Sequence, residues 1–263
     1  AGTGTLNVGF GGSSIVGDTI TVAAGGSYNH FGGTTFTTSL DVSAAGTFQF
    51  TGGQITVSDG IFSPKLVSVP YDIGSAGLLL NAYAISGIVP GASSGPTLRL
   101  QNGGASTASG DTIVLGTLGG WGRVIVSDED SKLRTDPLKG DILVGLGRTQ
   151  SGSDASTGIL TIDNGGLATA SWDLRIGVQG GNGSSTVDGI GTNAKRSGLA
   201  SGAQMVVGDN RFIDGPTSHA GTGSLTVTGG AFAASSTDFS IGYQGGLGTA
   251  TVAGDGTGIK GAD

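Results

Sequence analysis

Two stretches, TGILTIDNGGLATASWDLRIGVQGGNGSSTVDGIGT (residues 157–192) and TGSLTVTGGAFAASSTDFSIGYQGGLGTATVAGDGT (residues 222–257), carry the same punctuation of glycines and apolar residues. At one offset of 65 residues, Leu160 matches Leu225, Ile162 matches Val227, Gly165 matches Gly230 and Asp173 matches Asp238. Leu174 then matches Phe239, Ile176 matches Ile241, Gly177 matches Gly242 and Val187 matches Val252, with no gap. Register held this long is an internal repeat.

Looser copies lie upstream. TLRLQNGGASTASGDTIVLGTLGG from Thr97 keeps the Asn-Gly-Gly turn, and VIVSDEDSKLRTDPLKGDILVGLG from Val124 reads as two strands with an insertion between them. TLNVGFGGS near the start resembles the second half of the unit, and TITVAAGGS from Thr19 the first half. Within a unit, Leu225 and Val227 alternate with Ser224, Thr226 and Thr228, the period of a strand with one buried face. Gly229-Gly230 supplies a turn that accepts positive φ. Strands this short bury a core only when coils stack on one another.

Val227 to Val252 is 25 residues, as is Ile162 to Val187, which suits one turn of a solenoid; a propeller blade needs about 40 or more. The expected fold is all-β, a single-domain right-handed parallel β-helix (β-solenoid) over residues 1–263, with about 25 residues per coil and loop insertions. Residues 61–96 hold four of the 6 Pro and lose the glycine punctuation, so they read as an irregular insertion or as a docking segment.

Composition agrees. The 263 residues include 55 Gly, no Cys and only 12% charged side chains, with a formal net charge of −7. There is no Gly-X-Y register, and 36% hydrophobic content can build a core of small and β-branched residues. The acidic balance argues against nucleic acid, and no run reaches the roughly 18 apolar residues of a membrane span. The lack of Cys removes disulfides and thiolate metal sites.

The pattern GxLTVxxGG…DLxIGxxGGxGT resembles the Gly-rich β-strand repeats of bacterial autotransporter passenger domains and of related surface proteins carrying PEP-CTERM-type sorting signals. The resemblance is clearest over 157–257, weaker over 1–60 and 97–150, and poorest over 61–96. It implies a cell-surface or extracellular location and a role in adhesion or matrix building, without implying an activity. The C-terminal membrane barrel of an autotransporter is not present in the sequence.

No catalytic constellation stands out, and no cofactor is called for. The densest polar segment, 128–141, places Asp128, Glu129, Asp130, Asp136 and Asp141 beside Lys132, Arg134 and Lys139. It reads first as a solvated insertion, then as a calcium loop (although Lys132 stands where a third ligand should be), and last as a catalytic carboxylate pair. Asp173 and Asp238 read as turn caps. His30 and His219 are isolated, and the outward Thr residues form too irregular a ladder for an ice-binding face.

The opening GTLNVGFGGS and closing GTATVAGDGTG read as complementary halves of a unit, as expected of a head-to-tail filament subunit or of a piece cut from a longer passenger. The sequence therefore suggests a non-enzymatic, extracellular, self-associating subunit of a surface fibre or biofilm matrix, its partner a second copy of itself. Its candidate assembly contacts are Leu6, Val8, Pro64, Pro70, Leu78, Leu79, Leu80, Tyr83, Val252 and Ile259. The alternative is a surface adhesin that binds a glycan or host protein through loops near 128–141, 190–202 and 209–220, with Trp121, Asp128, Asp130 and Trp172 as candidate ligand contacts.

Overall fold

The computed structural model describes residues 4–9, 14–31, 33–42, 47–50, 54–57, 63–64, 71–73, 77–80, 84–85, 97–100, 105–108, 112–117, 120–135, 140–147, 156–191, 193–210 and 220–261. These residues form an all-β parallel solenoid of three sheets, with every strand of the three sheet paths paired to its equivalent one coil on. The first sheet has ten strands, one per rung: Thr5–Val8, Ser27–His30, Thr47–Phe50, Tyr71–Ile73, Thr97–Leu100, Trp121–Ser127, Thr157–Asp163, Asn182–Asp188, Thr222–Thr228 and Leu247–Ala253.

The second sheet follows it rung by rung: Ser14–Val22, Thr34–Val42, Gln54–Val57, Gly77–Leu80, Ala105–Ala108, Lys132–Thr135, Leu167–Ala170, Gly198–Ser201, Phe232–Ser235 and Gly258–Lys260. Ser63–Pro64 pairs with Asp41 and Val42 beside this path. Among the described residues the third sheet occupies rungs 4 to 9: Ala84–Ile85, Thr112–Thr117, Asp141–Leu146, Leu174–Val178, Met205–Asp209 and Phe239–Tyr243. At ~4.8 Å per rung the rod is about 45 Å long.

The core is a set of columns. One runs in unbroken register through Val8, His30, Phe50, Ile73, Leu100, Val126, Ile162, Val187, Val227 and Val252. Strand Thr157–Asp163 shows how such a column forms: Gly158, Leu160 and Ile162 are buried while the residues between them are half-exposed. Each fully buried Leu, Ile or Val contributes about 1.5–3 kcal/mol of transfer free energy. In rungs 2 and 3, which have no described third-sheet strand, aromatic rings fill the interior: Tyr28 stacks on Phe48 at 5.6 Å and shares a hydrogen bond with Thr35 Oγ1.

The structure adds one element and changes two expectations. A coil is three strands, because LATA and FAAS, where apolar alternation gives no strand signal, are second-sheet strands. For the same reason 128–141 is no insertion: Lys132–Thr135 is the second-sheet strand of rung 6. Within 61–96, the described strands Tyr71–Ile73, Gly77–Leu80 and Ala84–Ile85 take places in the three sheets as rung 4. Finally, TLNV belongs to the first sheet and TITV to the second, and the closing TATV is also first-sheet, so the opening and closing stretches are the same part of a coil and not complementary halves.

The 65-residue offset spans two rungs. The step from Ile162 to Val187 takes 25 residues, and that from Val187 to Val227 takes 40, because rung 8 carries longer connections at 189–197 and 210–221.

The repeated glycines form a seam. Gly116, Gly145, Gly177, Gly208 and Gly242 stack in the third sheet with φ between 70° and 76°. A Cβ on Gly177 would lie 2.0 Å from the carbonyl oxygen of Thr222, and one on the facing first-sheet Gly183 would lie 2.2 Å from the backbone nitrogen of Gly177. Both the left-handed backbone and the contact distance exclude a side chain. Gly177→Ala should therefore cost about 3 kcal/mol or more in urea unfolding. Gly258→Ala, where a Cβ meets nothing within 4 Å, should stay within about 0.5 kcal/mol of the parent.

Candidate functional site

The three corners of the coil carry the polar side chains. At the corner between the second and third sheets, carboxylates cap the backbone of neighbouring rungs. Asp141 Oδ1 accepts from Asp173 N–H at 2.9 Å, and Asp173 Oδ1 accepts from Gln204 N–H at 3.0 Å. Gln204 Nε2 donates to Asp238 Oδ2 at 3.2 Å. The turn-cap reading of Asp173 thus holds, with the capped amide on the next rung.

The same corner holds a feature that strand alternation hides. Arg175 lies between Leu174 and Ile176, where period-2 reading places it in solvent, yet it is buried. Its guanidinium forms ion pairs with Asp173 and with Asp209, the latter fully enclosed. These paired carboxylates hold the Arg175 pKa up against the desolvation that would lower it. The outer face of the third sheet is sealed here as well, with Val114, Leu143, Leu146 and Val178 forming a second apolar cluster. Removing a buried partner strands the opposite charges. Arg175→Met should lower stability by about 3–5 kcal/mol, read as a shift in the urea midpoint at unchanged m-value.

At the corner between the first and second sheets, two candidate loops meet. Asp128 and Asp130 adopt φ of 72° and 70° in the turn of rung 6. Between them, Glu129 accepts from the backbone N–H and the side-chain amide of Asn193, and Asp130 Oδ1 pairs with Lys195 Nζ at 2.6 Å. From the same loop, Arg196 Nε donates to Gly230 O at 2.5 Å and its Nη2 to Ala231 O at 3.1 Å, and it also reaches Gly256 O. Its guanidinium sits 5.6 Å over the ring of Phe232.

The acids of 128–141 are therefore divided. Asp128, Glu129 and Asp130 lie at one corner, and Asp141 lies across Lys132–Thr135 at the next. Asp136 lies outside the described residues. Among the described residues no three His, Asp or Glu side chains gather where they could hold a metal ion, so the calcium-loop reading gains no geometry. Trp121 is half-exposed at the start of its strand, and Trp172 is 54% exposed at the second-to-third corner, its N–H bonded to Gly140 O at 3.0 Å.

The candidate assembly residues fall in different places. Val8 is sealed in the core, Leu6 is 42% exposed in rung 1, and Ile259 packs partly buried against the core in rung 10. Val252 is 47% exposed although it continues the column of the sealed Val187 and Val227. Leu78 shares its register position with the buried Leu133 and Leu199 through the intervening rungs, whereas Leu79 and Leu80 pair with Thr107 and Ala108. Pro64 pairs beside Val42, and Pro70 and Tyr83 lie outside the described residues.

The hydroxyl ladder is less irregular than the sequence suggests. Thr161, Thr186, Thr226 and Thr251 stack in register over rungs 7 to 10, beside Ser184, Ser224 and Thr249. Ser224 Oγ donates to Ser184 Oγ at 3.2 Å. Further along the rod the same column holds Ile125, Arg99, Asn29 and Asn7.

Compared with known protein families, with characterised proteins and with solved structures, the chain matches none.

Hydrogen bonds from Asn193 and from Lys195 hold the Glu129 and Asp130 pKa values below the usual carboxylate range, and Asp130 raises that of Lys195. The carboxylates' contribution is complete above their unfolded pKa values and is lost as pH falls through their lowered folded values. That of Lys195 is complete below the ordinary lysine range and is lost as pH rises through its raised value. The Asn193 amide resonance should accordingly hold steady through neutral pH and move only in acid below the ordinary carboxylate range, or in alkali above the ordinary lysine range.

Proposed function

We propose that the chain is a non-enzymatic structural protein of the bacterial surface or extracellular matrix, whose rods associate end to end. The face of rung 10 carries this reading. Ile241 and Val252 occupy core columns whose preceding members Val207 and Val227 are sealed, yet the two are about half-exposed, with Leu247 63% exposed beside them. Among the described residues, Leu247–Ala253 and Gly258–Lys260 are paired on one side only. Such an edge templates another strand.

A second copy supplies a fitting occupant. Its Thr5–Val8 strand continues the first sheet with Val8 following Val252 and the exposed Leu6 set over the small Ala250. An apolar cavity of about 360 Å³ beside Leu6, Ile20, Val22 and Tyr28 gives the opposite face a recess for incoming side chains. A heterologous contact of this kind propagates instead of closing.

Electron microscopy across a concentration series tests it. Wild-type protein should form fibres with an axial repeat of about 48 Å, from ten rungs at ~4.8 Å. Val252→Glu should give isolated rods with the same circular dichroism. Isolated wild-type rods at every concentration would overturn the reading.

The adhesin reading rests on Trp172, an exposed aromatic on a rigid corner beside the bonded pair Gln204 and Asp238. It expects glycan binding by the rod that disappears in Trp172→Ala at unchanged stability.

A further inference from the structure

A solenoid couples each rung to its immediate neighbours, so its stability is approximately a sum of nearest-neighbour terms and it can open rung by rung. The glycine seam at the third-to-first corner already brings backbone within contact two rungs on, and the connection at 189–197 spans rungs at a second corner through side chains. It leaves the first sheet in rung 8 and folds into a short hairpin closed by an antiparallel bridge between Ile190 and Arg196. Gly191 N–H donates to Lys195 O at 2.7 Å, and Ser197 N–H donates to Gly189 O at 3.1 Å.

The hairpin lies along the corner between the first and second sheets. Toward the N-terminal side it holds Glu129 and Asp130 of rung 6, passing Gly165 of rung 7, whose N–H donates to Ser197 Oγ at 2.9 Å. Toward the other side Arg196 bonds Gly230 and Ala231 of rung 9 and Gly256 of rung 10. Two glycines keep the path open: a Cβ on Gly165 would lie 2.8 Å from Glu129 Cγ, and one on Gly191 would lie 2.6 Å from it.

We propose that residues 189–191 and 193–197 are an axial clasp that adds, at the first-to-second corner, a side-chain coupling of rung 6 to rung 8 and of rung 8 to rung 10, making rungs 6 to 10 one cooperative block. The two anchors differ in kind. The Glu129–Asn193 and Asp130–Lys195 anchor is exposed and ionic, faced also by Lys132, so salt and acid weaken it. The Arg196 anchor grips backbone carbonyls and an aromatic ring, so it persists. The clasp therefore releases from rung 6 first.

Native-state hydrogen exchange in sub-denaturing urea tests this. In the wild type, backbone amides of Val124, Leu160, Leu225 and the half-exposed Ala250 should share one opening free energy and one urea slope, as members of a single cooperative unit do. In Arg196→Ala, amides of rungs 9 and 10 should separate from the block and exchange about tenfold faster, and in Glu129→Ala those of rung 6 should do so. Gly191→Ala, which displaces Glu129 without removing a charge, should reproduce the Glu129→Ala pattern and remains informative if either truncation fails to fold. A wild type whose rungs 6 to 10 exchange in graded, rung-by-rung order would overturn the proposal. So would variants that leave the shared opening intact.

Discussion

The structure depends on a backbone-to-backbone contact. Where the third sheet meets the first, Gly116, Gly145, Gly177 and Gly208 press against the strands that begin at Thr157, Asn182, Thr222 and Leu247, two rungs on. Facing them, Gly158, Gly183, Gly223 and Gly248 allow the return approach. The corner closes only because neither side carries a Cβ, and only glycine adopts the left-handed φ there without cost. A triangle closed this tightly leaves room inside for Val, Ile and Leu but little for rings. The aromatic pair Tyr28 and Phe48 occurs in rungs 2 and 3, where no third-sheet strand is described.

The polar groups solve the remaining problem of such a fold, which is to hold corners where no ladder hydrogen bond reaches. Carboxylates do this by accepting from the backbone one rung on, as Asp141 does for Asp173 and Asp173 does for Gln204. Thr135 Oγ1 does the same from the other side, accepting from Ser171 N–H at 2.8 Å and donating to Gly140 O at 3.0 Å. Arg175 adds a buried ion triad that fixes Asp173 in the orientation its cap needs. Such a triad confers register more than net stability, because desolvation offsets much of its Coulomb attraction.

A repeat array built this way is extensible in principle at either face, and the two features that break the repeat have opposite effects on it. The uncovered apolar positions of rung 10 favour addition of further rungs. The clasp favours integrity of the rungs already present, since it adds side-chain ties at a second corner to the two-rung backbone contacts of the glycine seam. In a structural fibre the first property makes contacts between subunits, and the second keeps a subunit from fraying at the contact.

Much of the fold was legible in the sequence because glycine punctuation and period-2 alternation are local consequences of backbone sterics and one-sided burial. Leu160, Ile162, Leu225 and Val227 announced their strands, Gly229-Gly230 its turn, and the 25-residue step its coil. LATA and FAAS escaped notice because a strand of alanines and polar residues has almost no hydrophobic contrast. Tyr71–Ile73 escaped because prolines around it mask a rung that long-range pairing nonetheless enforces. The site was less legible still. Glu129 and Asn193 stand 64 residues apart, and no local pattern links them. Arg175 reads as exposed until the outer face of its sheet is known to be sealed. Sequence by itself determined the strands and core positions of the alternating, glycine-punctuated segments, because those follow from neighbours along the chain. Tertiary structure alone decided which corners meet, which charges are buried and which loop clasps which rung, because those depend on the stacking of rungs that are distant in sequence and adjacent in space.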